Sequence, residues 1–426
     1  MKLGKLVDFN PVTKVRRGVQ VPFINMATLP TNGKYISKTS NRLFSGSGAK
    51  FTNGDTLVAR ITPCLENGKG AYVSGLEENG FGSTEFIVLR AKNNSDNQFI
   101  YYLTRWSKFR EYAIQGMSGT SGRQRVSWQT LSDFEFATIN KQNRFLIGEV
   151  LSRLDDKIEL NRQMNETLEQ MAQAVFQDWF VDFGPVKRKL KGINDPVAIL
   201  GGLINDPAKA QEIANLFPDQ FADDGLPEGW EVKGLDQVAD FLNGLALQKF
   251  PALHNDDSLP VIKIAELRNG VSANSGKANK NIPEKFIIDD KDFIFSWSGS
   301  LLAKFWTGGK GALNQHLFKV TSTEYPHWFF SQWVYHHLKD FQQIAAAKAT
   351  TMGHIQRKHL SSALVNCPSH ETIKRFGLVL SPITDLIISN NIQNHTLAEM
   401  RDLLLPKLMS GEISVDELEK KMGGVL

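Results

Sequence analysis

The sequence predicts an α+β protein in which two β-rich domains, related by pseudo-two-fold symmetry, are separated by an antiparallel pair of long helices forming a coiled coil. A length of 426 residues exceeds what one hydrophobic core usually serves, so several domains are expected. An internal repeat and two stretches of seven-residue periodicity are the other observations that favour this architecture.

The repeat aligns two segments without a gap, and Asn161 matches Asn390 at an offset of 229 residues. Within it, Val150-Leu151-Ser152 recurs as Val379-Leu380-Ser381, and Thr167-Leu168 recurs as Thr396-Leu397. Weaker similarity upstream pairs Val21–Ile24 with Leu259–Ile262, Asp55–Val58 with Asp292–Phe295, and Gly68–Ala71 with Gly309–Ala312. A period of this length indicates a duplicated domain, because solenoid repeats are much shorter.

Short apolar runs bounded by turn residues predict strands throughout residues 1–140, the first β-rich domain, and 226–369, the second. Thr56–Ile61 and Glu85–Leu89 are typical of these runs. Short helices are expected at Gln98–Gln115 and at Pro326–Ala347. Residues 185–225 are predicted to be a connector with one short helix at Pro207–Leu216, and residues 410–426 form a C-terminal tail.

The long helices are predicted at residues 141–184 and 370–409. In the first, Ile147, Leu154, Leu168 and Val175 recur at multiples of seven positions, which is the pattern of a coiled-coil seam. The alternative is that these are ordinary core helices of a bundle. Pro382 is expected to bend or break the second helix near its start.

Paired asparagines interrupt the seam of both helices. Asn161 and Asn165 in the first helix match Asn390 and Asn394 in the second. A polar residue in the middle of a coiled-coil seam fixes the register of the two helices at some cost in stability. We therefore expect Asn161 and Asn390 to approach each other at the centre of the helix pair, with the other two close by.

Composition sets broad limits on function. The net charge of +4 and the pI near 8.8 permit nucleic-acid binding without requiring it. No apolar run is long enough for a membrane span, and the N-terminus lacks the apolar core of a signal peptide. Cys64 and Cys367 lie far apart without metal-ligand spacing, so neither a metal nor a cofactor is predicted and a cytoplasmic location is expected.

Three local motifs resemble the specificity subunits of type I restriction–modification systems: Asp178–Phe183, Leu226–Val232 and Leu404–Ile413. With the duplication, the resemblance covers essentially the whole chain. It implies that each β-rich domain is a target recognition domain for one half of a bipartite site in double-stranded DNA. It also implies that the helices space these domains and dock two methyltransferase subunits, that motor–nuclease restriction subunits complete the complex, and that this chain itself is not catalytic.

Two hydroxyl-rich loops at equivalent places are the main candidates for DNA contact. An arginine can bind guanine through a fork of two N–H groups, glutamine can pair with adenine, and Ser, Thr or Lys can hold phosphates. The alternative is a solvated loop without a ligand. The candidates are Ser118, Thr120, Arg123, Gln124 and Arg125 in the first copy, Thr350, Thr351, His354, Gln356, Arg357 and Lys358 in the second, and secondarily Arg60, Lys69, Lys304 and Lys310.

Other functions have weaker support in the sequence. Phe44–Gly48 resembles a methyltransferase glycine loop, but it is followed by a predicted strand and lacks its catalytic partner motif, so methyl transfer is rejected. Asp219, Glu231 and Lys233 fit a short pattern of Mg²⁺-dependent nucleases that often arises by chance. A coiled-coil scaffold whose β-rich domains bind protein is the remaining alternative.

Overall fold

Strands form where short apolar runs meet glycine- and asparagine-containing turns, and both copies of the repeat contain such runs. The computed structural model describes residues 1–36, 39–252, 257–347 and 353–414. The chain divides into a first unit, Met1–Leu160 with Thr396–Leu426, and a second unit, Asn161–His395. Across the described ranges, no helix is both long enough and apolar enough to cross a membrane.

The described residues of the first unit form two sheets. Their strands are β1 (Val7–Phe9), β2 (Gln20–Ile24), β3 (Ser40–Leu43), β4 (Ala49–Phe51), β5 (Thr56–Ala59), β6 (Gly70–Tyr72), β7 (Gly80–Gly82) and β8 (Phe86–Ala91). One sheet has the order β1-β8-β5-β6 and the other β3-β2-β7-β4. Strands β2 and β7 are parallel, whereas the other pairs are antiparallel.

The core of the first sheet is the antiparallel pair β5 and β8, with Thr56 opposite Leu89. Every residue of β5 is buried, as a continuous apolar run predicts. Asp55, only 1% exposed, immediately precedes β5 and binds Arg90 of β8 through two hydrogen bonds of 2.7 Å. A buried carboxylate needs such a partner, so this ion pair fixes the two strands to each other.

The helix predicted at Gln98–Gln115 is present as two helices, α1 (Asn97–Arg105) and α2 (Ser107–Gln115). Trp106 interrupts it because its backbone is extended and its ring is buried against Phe134. A third helix, α3 (Trp128–Ser132), begins after Ser127, whose hydroxyl accepts a hydrogen bond from the Thr130 backbone N–H.

The first long helix, α4 (Lys141–Phe176), continues into a π-helical turn at Gln177–Val181. Gly148 is required in α4 because a Cβ there would lie 2.8 Å from the backbone nitrogen of Phe99. The connector contains more helix than the one expected at Pro207–Leu216: α5 (Gly184–Leu190), α6 (Pro196–Ile199) and α7 (Pro207–Ala214).

The connector contributes buried apolar side chains to the core of the second unit, among them Val186, Leu200 and Phe217. Trp179 and Phe180, from the Asp178–Phe183 motif, are fully buried there, with Phe217 and Trp230 around them. Trp230 belongs to the Leu226–Val232 motif, so the motifs on either side of the connector both contribute aromatic side chains to this core.

The second unit repeats the sheets of the first. Its strands are β9 (Glu231–Gly234), β10 (Asp240–Asn243), β11 (Ser258–Ile262), β12 (Lys277–Asn279), β13 (Ile287–Ile288), β14 (Phe293–Ser296), β15 (Ala303–Phe305), β16 (Gly311–Leu313), β17 (Leu317–Thr321) and β18 (Leu364–Cys367). The orders β10-β17-β14-β15 and β12-β11-β16-β13 match the first copy strand for strand, and β9 pairs with β18. Its helices are α8 (Leu235–Val238), α9 (Ile264–Asn269), α10 (His327–Ala346) and α11 (Arg357–Ser361).

This topology corrects one of the weaker sequence pairings. Val21–Ile24 and Leu259–Ile262 do fall in equivalent strands, since β2 pairs in parallel with β7 and β11 pairs in parallel with β16. The pairing of Gly68–Ala71 with Gly309–Ala312 is wrong. Gly70 begins β6, beside β5, whereas Gly311 begins β16, beside β11. Insertions of different length between strands shifted the alignment at this point.

The second long helix, α12 (His370–Ser410), is continuous through Pro382, so the break expected there does not occur. Proline removes one backbone N–H from the helix and frees a carbonyl one turn earlier, that of Leu378. Pro382 is exposed and Leu378 is 67% exposed, so water can satisfy that carbonyl. The cost of the proline is therefore small enough for the helix to persist.

Candidate nucleic-acid interface

The first predicted loop is a short hairpin at the end of the β5–β8 pair. Ser118 and Arg125 exchange backbone hydrogen bonds of 3.0 and 2.9 Å, and the turn between them uses Gly119 and Gly122 at positive φ. Thr120 and Arg123 lie exposed in this turn, as do Ser118 and both glycines. Gln124 is half-buried, and its carbonyl accepts from the Thr62 backbone N–H.

Arg125 is held in place by a carboxylate that the sequence analysis did not identify. Its Nε lies 3.0 Å from Glu85 Oε2 and its Nη2 lies 2.8 Å from Glu85 Oε1. Nη1 donates to the Arg123 carbonyl at 3.1 Å. The hydrogen bond from Arg125 lowers the pKa of the Glu85 carboxyl below its ordinary value. Arg60 Nε lies 3.7 Å from Glu85 Oε2, so two guanidinium groups flank one carboxylate. We call Arg60, Glu85 and Arg125 the first triplet.

The second unit has three residues at the equivalent backbone positions, Trp297, His316 and His354, which we call the second triplet. The equivalence rests on three backbone hydrogen bonds that recur in the two copies. The backbone N–H of Arg60 donates to the Glu85 carbonyl (2.9 Å), as that of Trp297 does to His316 (3.3 Å). Val126 donates to the Arg60 carbonyl, as Ile355 does to Trp297 (3.0 Å each). Thr62 donates to the Gln124 carbonyl (3.0 Å), as Gly299 does to Gly353 (2.8 Å).

The chemistry of the second triplet is aromatic and neutral or weakly basic instead of ionic. The indole N–H of Trp297 donates to Asn243 Oδ1 at 2.9 Å and to the Gln315 carbonyl at 3.2 Å. His316 Nδ1 lies 2.9 Å from the hydroxyl of Ser298. The Trp297 ring meets the His354 ring edge to face, with 6.3 Å between centroids. Only His354 of this triplet was a sequence candidate, because Trp297 and His316 stand at strand ends that resemble ordinary turns.

The lysine candidates differ in availability. Lys69 Nζ donates to the Met26 carbonyl at 2.8 Å, so it is engaged within its own domain. Burial lowers the pKa of Lys304, with the nearby Glu169 acting in the opposite direction. Lys310 is exposed. The sequence pairing suggested that Lys69 and Lys310 are equivalent. They are not, because Lys69 precedes β6 and Lys310 precedes β16.

The second predicted loop is partly helical. Thr350 and Thr351 lie outside the described residues. Gln356 is the N-cap of α11 instead of a loop residue, and its backbone N–H donates to His359 Nδ1 at 2.9 Å. Arg357 and Lys358 are exposed in the first turn of α11, and Arg357 Nη2 lies 3.4 Å from the Phe241 carbonyl.

A basic surface adjoins Arg60 in the first unit. Arg60 and Lys50 line a cavity of about 440 Å³, and Lys50 also lines a second cavity, of about 550 Å³, with Lys14 and Arg16. Glu78 is also in the lining of the second cavity. Lys14, Arg16 and Lys50 were not among the residues predicted to contact DNA, although the run Lys14-Val15-Arg16-Arg17 was a signal. Closely spaced cations of this kind suit the phosphates of a nucleic acid.

The four predicted asparagines meet in the second unit, but with partners that differ from the expected central pair. Asn161 Nδ2 donates to Asn394 Oδ1 at 2.9 Å and to Gln393 Oε1 at 2.8 Å. Asn390 Nδ2 donates to Asn165 Oδ1 at 2.9 Å. Because the offset of 229 exchanges these two pairs, the local two-fold centre lies between them, two residues from the position expected. The numbering falls on one helix as it rises on the other, so these segments are antiparallel.

The residues of the nuclease pattern lie in separate ion pairs. Asp219 Oδ1 is 2.9 Å from Lys189 Nζ, and Glu231 Oε1 is 2.7 Å from Lys233 Nζ. Lys233 also lies 3.1 Å from the Tyr325 hydroxyl. Over the part of the chain that the structure describes, no group of three or more His, Cys, Asp or Glu side chains is placed to hold a metal ion.

The family described as the type I restriction modification DNA specificity domain matches residues 7–170 and 227–398. The chain is 27% identical over 456 residues to the HindI specificity subunit of Haemophilus influenzae, covering 96% of this chain and 97% of that protein. It is 26% identical over 433 residues to the MjaIX specificity subunit of Methanocaldococcus jannaschii, covering 96% and 90%. An S subunit structure from M. genitalium gives a TM-score of 0.54 at 14% identity, covering 96% of this chain and 95% of that one, which supports the fold.

Proposed function

The chain belongs to the type I restriction–modification DNA specificity family, and from this we propose that its two domains each recognise one half of a bipartite double-stranded DNA target. The curated relatives that it matches over nearly their full length are specificity subunits of restriction enzymes. DNA sequence recognition is therefore the activity of the family, and the division into two half-sites is our inference from the duplication.

The observation that carries the proposal is the difference between the two triplets. The backbone hydrogen bonds around them recur, so the two copies present side chains from the same positions. The first copy presents Arg60, Glu85 and Arg125, and the second presents Trp297, His316 and His354. Sequence is distinguished by donors, acceptors and apolar groups that contact base edges. Equivalent positions with different chemistry suit recognition of two different half-sites.

We propose that the partners are two methyltransferase subunits, with motor–nuclease restriction subunits in the full complex, and that this chain contributes specificity without catalysis in the cytoplasm. The specificity subunits that the chain resembles along nearly its whole length support this view. The basic surface of Lys14, Arg16 and Lys50 would hold phosphates and orient the duplex.

The experiment is to reconstitute the full chain with its cognate methyltransferase subunit and to map the methylated adenines in DNA of diverse sequence. We expect one motif made of two half-sites with a constant spacer. The matched variants are Arg125→Ala and His354→Ala, which change equivalent positions in the two copies. Each should relax base preference in a different half of the motif.

A single uninterrupted motif, or relaxation of the same half by both variants, would refute the division into half-sites. Binding of the complex to DNA should also weaken steeply as salt rises, because phosphate contacts release counterions. A complex that binds no DNA at any salt concentration would instead favour the protein-binding scaffold.

A further inference from the structure

We propose that Arg125, oriented by Glu85, binds a guanine in the half-site of the first domain. This inference rests on the proposed function, and it names the base that the first triplet recognises. The side chain of Arg125 is 38% exposed and that of Glu85 is 26% exposed, so the pair lies at the surface of the domain and not in its core.

The hydrogen bonds that Arg125 makes to Glu85 and Arg123 occupy only part of its guanidinium, and the other part suits guanine. A guanidinium carries five N–H donors in a fixed plane. Glu85 takes one from Nε and one from Nη2, and the Arg123 carbonyl takes one from Nη1. Within the described part of the chain, one N–H on each of Nη1 and Nη2 is left without a partner. Two such donors from one plane match the O6 and N7 acceptors of guanine in the major groove.

The carboxylate of Glu85 argues for a base contact against a phosphate contact. A carboxylate beside an arginine repels DNA phosphates and reduces the local positive charge, so it weakens a purely electrostatic contact. The same carboxylate fixes the plane of the guanidinium, which a bidentate contact to a base edge requires. Glu85 therefore acts as a positioning residue for Arg125.

The backbone around Arg125 also favours a defined geometry. Its own N–H and carbonyl are hydrogen bonded to Ser118, and the next residue, Val126, is fully buried and bonded to the Arg60 carbonyl. The loop tip from Gly119 to Gly122 projects beyond this anchored position. Arg125 is thus held at the base of the hairpin, whereas Arg123 lies in the exposed turn.

The second triplet provides the internal comparison. His354 stands where Arg125 stands, and His316 stands where Glu85 stands. An imidazole has one N–H and one acceptor nitrogen when neutral, so it cannot form the two-donor fork. The guanine contact is therefore expected in one half-site only, and the same position in the other half-site should show a different base preference.

The test uses the reconstituted complex and a duplex that carries the mapped target. Each guanine of the first half-site is replaced, one at a time, by 7-deazaguanine, which lacks the N7 acceptor. For the wild-type chain, one replacement should weaken binding about tenfold or more. With Arg125→Ala, which removes every donor of this side chain, the same replacement should have little further effect.

Glu85→Gln tests positioning. It should reduce the effect of the 7-deazaguanine replacement and lower the melting temperature of the complex near neutral pH by less than the control variant does, a combination that a purely structural role would not produce. The control is Arg90→Lys, which loosens the equally bidentate pair with Asp55 in the same sheet. That variant should lower the melting temperature and leave the effect of the base replacement unchanged.

The possible outcomes separate this inference from the proposed function. A wild-type complex that methylates no bipartite motif would refute the proposed function, and this inference with it. A bipartite motif without guanine in the first half-site would overturn the inference alone. So would an N7 effect of equal size in the wild-type chain and in Arg125→Ala, because another residue would then contact that guanine.

Discussion

Removing the Asn165 amide should destabilise the helix pair, whereas removing the Asn161 amide should not. Asn165 accepts a hydrogen bond from Asn390 Nδ2, which belongs to a side chain only 7% exposed. Asn165→Leu leaves that buried donor without its acceptor, which costs about 1–3 kcal/mol. Asn165 also donates to Asn391 Oδ1 at 3.0 Å, a bond that the variant loses as well.

Asn161 differs in what its removal leaves behind. Its Oδ1 is buried without a hydrogen-bond partner among the described residues, so the native amide already carries a cost. Its two acceptors, on Gln393 and Asn394, belong to exposed and half-buried side chains that water can reach. Asn161→Leu should therefore change the free energy of unfolding by less than about 1 kcal/mol, or increase it.

The double variant Asn165→Leu with Asn390→Leu completes the design. Replacing both partners by apolar groups removes the stranded donor, so the double variant should recover most of the stability lost in Asn165→Leu. The measurement is urea unfolding of the full chain followed by circular dichroism. Two results would contradict the role of the buried Asn390 amide: an Asn165→Leu variant as stable as the native chain, or a double variant no more stable than Asn165→Leu.

The same double variant tests the role of the amides in register. A slip by one heptad moves a helix by about 10 Å, which is about three base-pair steps along DNA. If the amides fix register, methylated sites mapped with the double variant should include a second spacer length. A single unchanged spacer would assign register to the apolar seam instead.

Three further predictions concern the candidate site. Arg123→Ala with Arg125→Ala should damage recognition of one half-site only, costing about 1–3 kcal/mol of binding free energy, and unchanged affinity and site choice in a gel-shift assay would remove both residues. Asp219→Ala and Glu231→Ala should leave methylation and restriction by the assembled complex intact, and lost cleavage with normal DNA binding would revive the nuclease hypothesis. Because the folded state lowers the pKa of Glu85, its contribution to stability is present above the ordinary carboxyl pKa and is lost as pH falls through the lowered value; Glu85→Gln should flatten that acid dependence in thermal melts.

Much of the fold could be predicted because its signals are local or periodic. Apolar spacing predicts the starts of the two long helices, the strand at Thr56–Ala59 and the helix at His327–Ala346. The split of the Gln98–Gln115 helix at Trp106 could not, because the cause is burial of one ring against Phe134, which only tertiary structure brings together.

The site was predicted less completely, for a physical reason. Arg125 was identified as a donor in a loop, but its partner Glu85 is 40 residues away along the chain. Only the pairing of β5 with β8 and the bridge from Ile61 to Arg125 place the two side chains together. The error for Lys69 is the opposite. It lies in a glycine-rich turn and was predicted to contact DNA, but its Nζ donates to the Met26 carbonyl.

The two copies of the repeat also differ inside the helices, and the difference bears on which segments can pair. In the first unit, Arg401 Nη1 lies 2.6 Å from Asp155 Oδ1, and the Tyr102 hydroxyl donates to the same carboxylate at 2.6 Å. The offset of 229 puts Ala172 at the position equivalent to Arg401, and Thr384 at that of Asp155. Two copies of the first helix paired with each other would therefore place Asp155, only 4% exposed, opposite alanine. An unpaired buried carboxylate costs several kcal/mol, roughly 3–5 when its partner is removed. The ion pair thus favours association of the first helix with the second over association of the first with itself, although both carry the same seam.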